Sequence, residues 1–215
     1  MKKLLLLLVI TSIFFAGCKS KEEKAQEAIK KEMFKTLYDF KSYEPIETKV
    51  DSSFYSIYTD TTILKHGYMI AAILKNANES LEKVKDAKST MDIWGDLYSS
   101  YSVIKYNDAK EEFNKYMNEA ELYLEMIKAE SDTIKSLAKK NNNKKIFNGW
   151  KVTHKFRCKT KGGDPTIGNY IYIFDKDMEN IIYQEDTEDE DLNKAKDLIK
   201  EAIEKKDENL DRASE

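Results

Sequence analysis

The chain has 215 residues, a formal net charge of −3 and 41% hydrophobic with 11% aromatic residues, enough apolar material for a folded core. Charged residues make up 35%, the mean hydropathy is −0.65, and there are only two prolines and seven glycines. These values exclude a collagenous repeat, a turn-rich all-β sandwich and a polytopic membrane protein.

Met1-Lys2-Lys3 is a positive start, Leu4 to Phe15 is apolar apart from Thr11 and Ser12, and Phe15-Ala16-Gly17-Cys18 closes the run with small residues. This is the pattern of a secretory signal peptide over residues 1–17. A retained membrane anchor is the alternative, for which the run falls short of the roughly 20 residues a spanning helix needs. The Phe-Ala-Gly-Cys ending resembles the lipobox of bacterial lipoproteins. That resemblance implies a diacylglycerol on the Cys18 thiol, cleavage before it and acylation, as by palmitate, of the new amine. Two or three acyl chains hold a domain at a bilayer where one gives only marginal binding. Cys158 is then left without a disulfide partner and reads as a small buried hydrophobe.

Lys21-Glu22-Glu23 resembles the export signal that carries Bacteroidota lipoproteins to the outer face of the outer membrane. Ser20 and Glu23 also have the spacing of a capping box that opens a helix, and both readings are compatible. The expected location is the outer membrane, through a lipid anchor, on either its periplasmic face or the cell surface.

Ala25, Ile29, Met33 and Leu37 recur every fourth residue and predict an amphipathic helix ending near Phe40. Ser42-Tyr43-Glu44-Pro45 stops it, and Ile46, Thr48 and Val50 alternate as a strand with proline at its start or on an edge. From about 59 to 143 the period changes. Ile63, Gly67, Ile70, Leu74, Ala77, Leu81, Val84 and Lys88 form one stripe. Phe113, Met117, Ala120, Leu124, Ile127, Ser131, Ile134 and Ala138 form another, opened by a capping box at Asp108 and Glu111. Two long antiparallel helices are predicted, ending at Asn141-Asn142-Asn143. Their connection, Thr90 to Tyr106, is too apolar for a solvated loop. Its Trp94, Tyr98 and Tyr101 either cap the hairpin's own core or form an exposed contact patch.

From Gly149 the period becomes two. Trp150, Val152, His154, Phe156 and Cys158 share one face, with Lys151, Thr153, Lys155, Arg157 and Lys159 on the other. Turn chemistry at Lys161 to Pro165 and Asp175 to Asp177 separates this strand from two more, Asn169 to Phe174 and Asn180 to Gln184. Thr187-x-x-Glu190 suggests a capping box before a last helix carrying Leu192, Ala195, Leu198, Ile199 and Ile203, and residues 207–215 are expected to be loose. The order predicts an α+β fold. It has an N-terminal helix and a four-stranded antiparallel sheet, as in a cystatin-like or NTF2-like roll by topological analogy, with a long inserted helical hairpin and a C-terminal helix. Residues 18–215 are read as one domain. The segments Tyr43-Glu44-Pro45-Ile46, Gly149-Trp150-Lys151-Val152 through Phe156-Arg157, and Tyr170 to Asp175 resemble a family of uncharacterised Bacteroidota lipoproteins. That resemblance implies an envelope lipoprotein and assigns no catalytic residue.

Nucleophile-elbow, zinc-protease, phosphate-loop and paired-cysteine motifs are absent from the sequence. His154 reads as a core histidine, and His66 has no acidic or histidine partner three or four residues on. Asp175-x-Asp177-x-Glu179 lacks the glycine and twelfth-position glutamate of a calcium loop and reads as an acidic turn. No cofactor or metal is implied. Nine basic and no acidic residues lie between Lys139 and Lys161. The strand face of Lys151, Lys155, Arg157 and Lys159 is thus a candidate binding surface for an anionic glycan or acidic protein, nucleic acid being excluded by export. The alternative is local compensation by the six acids between Glu185 and Asp191. The expectation is a non-enzymatic interaction module. A structural envelope component associating through the hairpin, or an enzyme with a dispersed carboxylate pair, are the other readings.

Overall fold

The computed structural model describes residues 19–96, 98–141 and 145–204. The signal segment, Cys18, Leu97, residues 142–144 and residues 205–215 lie outside the described residues. The fold is α+β: the described residues form four helices and a four-stranded antiparallel sheet. It divides into two compact units, residues 1–54 with 146–188, and residues 55–145 with 189–215.

The first unit opens with helix α1 (Lys21–Thr36), started by the reciprocal capping box of Ser20 and Glu23. Ala25, Ile29 and Met33 bury one face, as their spacing of four predicts. The helix stops at Thr36, four residues before the expected end. Leu37 is already extended, and its N–H still closes on the Met33 carbonyl.

Strand β1 (Asp39–Phe54) comes next, far longer than the expected Ile46–Val50 segment and running through Ser42-Tyr43-Glu44-Pro45. Pairing with β2 (Phe147–Lys159) from Asp39↔Lys159 to Phe54↔Phe147 recruits those residues. Pro45 is tolerated because β1 is an edge strand with register shifts on both sides of it. Strands β3 (Pro165–Phe174) and β4 (Ile181–Asp186) complete a meander in the order β1-β2-β3-β4. On β2 the expected alternation holds, with Val152, His154, Phe156 and Cys158 buried. The apolar members of this face join Tyr172, Phe174 and Met178 and the apolar face of α1 in one core.

The second unit contains α2 (Thr61–Trp94), α3 (Ser100–Asn141) and α4 (Glu190–Glu204), with α4 packed on both helices of the hairpin. Asp60 caps α2, accepting from the N–H groups of Thr62 and Ile63. The start of α3 is set by Ser99 and Ser102, whose hydroxyls and backbone N–H groups bond reciprocally. Asp108 and Glu111, the expected cap, lie inside the helix. Likewise Asp189, not Thr187, caps α4, accepting from the Leu192 N–H, while the Thr187 hydroxyl donates to the Asn169 carbonyl.

The hairpin stripes keep the expected spacing but shift locally. Ile73, Ser80 and Ala87 are buried on α2 where Leu74, Leu81 and Lys88 were expected, and Leu124 on α3 is 57% exposed. The buried positions mix small residues, Ala77, Ser80 and Ala87 on α2 and Ala109, Ala120 and Ala138 on α3, with larger ones such as Ile63, Leu64, Ile70 and Ile134. Gly67 meets α4 closely: a Cβ there would stand 2.8 Å from the Ala195 carbonyl oxygen.

Candidate functional site: the hairpin tip

The apolar stretch Thr90–Tyr106 is not a loop. Helix α2 runs to Trp94 and α3 starts at Ser100, leaving Gly95–Ser99 as the connection. The Ser99–Ser102 cap draws Tyr101, Val103 and Ile104 into helix. The same residues do not close over the hairpin core: Tyr98 is fully exposed, and Ile93, Tyr101, Val103 and Ile104 are exposed with it. Trp94 is half-buried and meets Tyr101 edge-on, with ring centroids 5.5 Å apart. Lys105 places its ammonium 5.7 Å from the Tyr101 ring centroid. Five large apolar or aromatic residues are thus exposed within twelve positions of the chain, a concentration that isolated surface hydrophobics do not show.

Beside this patch is a cavity of about 490 Å³ lined by Met91, Asp92, Trp94, Gly95, Asp96, Val103 and Tyr106. Of these, only Trp94 was singled out in the sequence. The signal that marks the others is charge: between Ser89 and Ile104, Asp92 and Asp96 are the only charged residues.

The basic face of β2 has a different character. Lys151, Arg157 and Lys159 are exposed and Lys155 is half-buried. In the antiparallel register each stands opposite an acid of β1: Lys151↔Asp51, Lys155↔Glu47, Arg157↔Glu44 and Lys159↔Asp39. The Arg157 guanidinium lies 3.4 Å from Glu44, and Glu47 is held below its usual carboxyl range first by its hydrogen bond with Lys49 and further by Lys155. Of the four, Arg157–Glu44 is an ion pair, while Glu47 pairs with Lys49 on its own strand; opposite charges at this spacing add little stability but weaken the field an anionic partner would feel. The compensating acids are on β1, whereas the sequence pointed to Glu185–Asp191.

The remaining candidates have local partners. Lys21 sets its ammonium 3.2 Å from the Trp150 ring centroid and Glu23 completes the α1 cap, so two residues of the expected export tripeptide hold the helix start, while Glu22 is exposed. His154 is fully buried, with hydrogen bonds to the Tyr43 hydroxyl (Nε2, 2.9 Å) and the Thr48 hydroxyl (Nδ1, 3.0 Å), and is stacked on Phe156. Burial pushes its pKa down to about 4, so it is neutral at physiological pH. The Tyr43 hydroxyl is pushed up by the same cause. Tyr43 also lines a second cavity of about 490 Å³ with Glu23 and Glu27. Glu23 is held in the cap, and Glu27 pairs with Lys19 at 2.5 Å, which lowers its pKa.

His66 does have an acidic partner. Its Nδ1 lies 2.5 Å from the Glu130 carboxylate on α3, 64 residues away and invisible to a search at helical spacing. Asp175 accepts from the backbone N–H groups of Glu179 and Asn180 and from the Asn180 amide, as an acidic turn requires. The Cys158 thiol is buried, with its pKa raised by that burial. Among the described residues no group of three His, Cys, Asp or Glu side chains could hold a metal ion. None of their helices is long and apolar enough to cross a membrane.

No protein-family model, curated protein or solved structure matches this chain.

Proposed function

We propose that this chain is a lipid-anchored envelope lipoprotein without catalytic activity, which docks a partner protein through the tip of its helical hairpin. The exposed aromatic and aliphatic tip carries the reading. Exposed apolar and aromatic side chains concentrated at one hairpin tip cost solubility, and Tyr and Trp are the residues on which protein interfaces concentrate their binding energy. Asp92 and Asp96 oppose an anionic lipid or glycan at this surface, in part offset by Lys105 beside the Tyr101 ring. The charge-compensated face of β2 supplies less for such a ligand than its sequence suggests.

The anchor reading rests on Cys18 and its lipobox. The α1 cap begins at Ser20, so a lipid on Cys18 would tether the first unit by about 7 Å of chain and hold it at the bilayer. Association of the hairpin with a second copy is the competing reading, favoured by the exposed Leu122, Leu124 and Met126 on α3.

A photo-crosslinking residue placed at Tyr98 in living cells tests the proposal, with Lys155 as the control position. A discrete adduct from Tyr98 that disappears in Ile93→Ser/Val103→Ser is expected. An adduct with the same chain would favour self-association. No adduct at the tip, or adducts only from Lys155, would refute docking through the hairpin.

A further inference from the structure

The start of α1 lies against one end of the sheet in the first unit. Lys21 sets its ammonium 3.2 Å from the Trp150 ring centroid. The Trp150 ring meets Phe147 edge-on at 5.4 Å, and Phe147 meets Phe54, its register partner at the last rung of the β1–β2 ladder, at 6.1 Å. From Lys21 the contacts thus run unbroken to Phe54, which is 46% exposed. Ile146, next to Phe147 in the chain, is 48% exposed. Isolated exposed hydrophobics need no explanation, but these share the end of the sheet to which α1 brings the N-terminal segment.

Only Lys19 and Ser20 stand between Cys18 and Lys21, so at most about 11 Å of chain separates the two. A lipid on Cys18 therefore sets this end of the sheet beside the bilayer, while β2 carries Lys159 about 40 Å away from Phe147. The side chains suit that boundary. Aromatic rings settle at headgroup level, and lysines whose stems lie along apolar surface hold their charge at the same depth. Lys21 lies over Trp150 in this way, and the exposed Lys176 is beside it, its carbonyl accepting from the Trp150 Nε1–H. Glu22 and Asp177, adjacent to these lysines in sequence, are exposed too, so apolar contact and not net charge carries the docking. We infer that the end of the first unit formed by Phe54, Ile146, Phe147 and Trp150 rests on the bilayer that holds the lipid. The acyl chains attach the protein, and this surface orients it. The inference rests on acylation of Cys18.

The test uses the acylated chain in vesicles of phosphatidylethanolamine and phosphatidylglycerol in equal parts, with a benzophenone side chain at Phe54 or, as the control, at Ile167. Ile167 belongs to the same unit, is 44% exposed, and stands opposite Arg157 near the far end of β2. Illumination is expected to give phospholipid adducts at Phe54 at least fivefold above those at Ile167. Ile146→Glu should cut the Phe54 adducts by at least half, and Ile167→Glu should leave them unchanged. Equal adducts at the two positions, none at Phe54, or a Phe54 yield that responds alike to the two glutamates would overturn the inference. Mass spectrometry of the same preparation separates the two readings. Acyl groups on Cys18 without a Phe54 adduct remove the membrane contact alone, whereas an unmodified Cys18 removes the anchor and the contact that depends on it.

Discussion

His154 makes the stability of the first unit depend on pH in a way that can be calculated. Its imidazole is fully buried, and its pKa is lowered from 6.5 to about 4 by that burial. The unfolded chain therefore binds a proton that the folded chain does not, throughout the window from pH 6.5 down to 4. Stability from the neutral imidazole is complete above pH 6.5 and is lost as the pH falls toward 4, below which the loss levels off. One pKa unit corresponds to about 1.4 kcal/mol, so between pH 7 and pH 4.5 this single group accounts for about 2–3 kcal/mol. Urea unfolding followed by Trp150 fluorescence in a Trp94→Phe background measures it. His154→Gln removes the titrating group while keeping an amide that can bond to Tyr43 and Thr48. The variant is expected to be less stable at pH 7 but to lose about 2–3 kcal/mol less on acidification. An equal loss in both proteins, or an imidazole resonance titrating near 6.5, would refute the reasoning.

Gly168→Ala would set a Cβ 2.5 Å from the ring of Phe156, which is buried, and should destabilise the first unit by about 1–3 kcal/mol. Gly163, at φ +91° with nothing within 4 Å, should show only backbone strain of about 1–2 kcal/mol as Gly163→Ala. Phe156→Leu should therefore offset part of the Gly168→Ala loss and none of the Gly163→Ala loss; equal behaviour in thermal unfolding would contradict the packing argument. Cys18→Ala is expected to abolish lipid labelling and either release a soluble protein or leave an uncleaved precursor, and labelling that persists would rule out the lipobox reading.

Periodicity exposed the α+β class, the long hairpin and the inward face of β2, because regular side-chain alternation is a local property of the chain. Val152, His154, Phe156 and Cys158 were legible for that reason. The errors fell where an element's neighbour decides. Ser42 to Pro45 is strand because β2 offers a ladder to an edge that can tolerate proline. Leu81 and Leu124 face outward while the neighbouring Ser80 and Ala120 are buried, a rotation of the helix face that hydrophobicity alone does not reveal. Three helix starts show the same limit: the Ser20–Glu23 box is legible in the chain, while the starts at Ser99 and Asp189 are obscured by nearby sequences of similar form.

The sequence by itself determined the chemistry present: a cysteine after an apolar run, a run of bases, an aromatic stretch, and none of the local catalytic motifs sought. Only the tertiary structure decided which of these groups find partners. It set the β1 acids opposite the β2 bases and closed His66 onto Glu130 and His154 between Tyr43 and Thr48. It also left the hairpin tip exposed, with two aspartates that form no ion pair among the described residues. The reason is that charge compensation and burial depend on distances in space, and residues 64 to 111 positions apart become neighbours only after the strands and helices have paired.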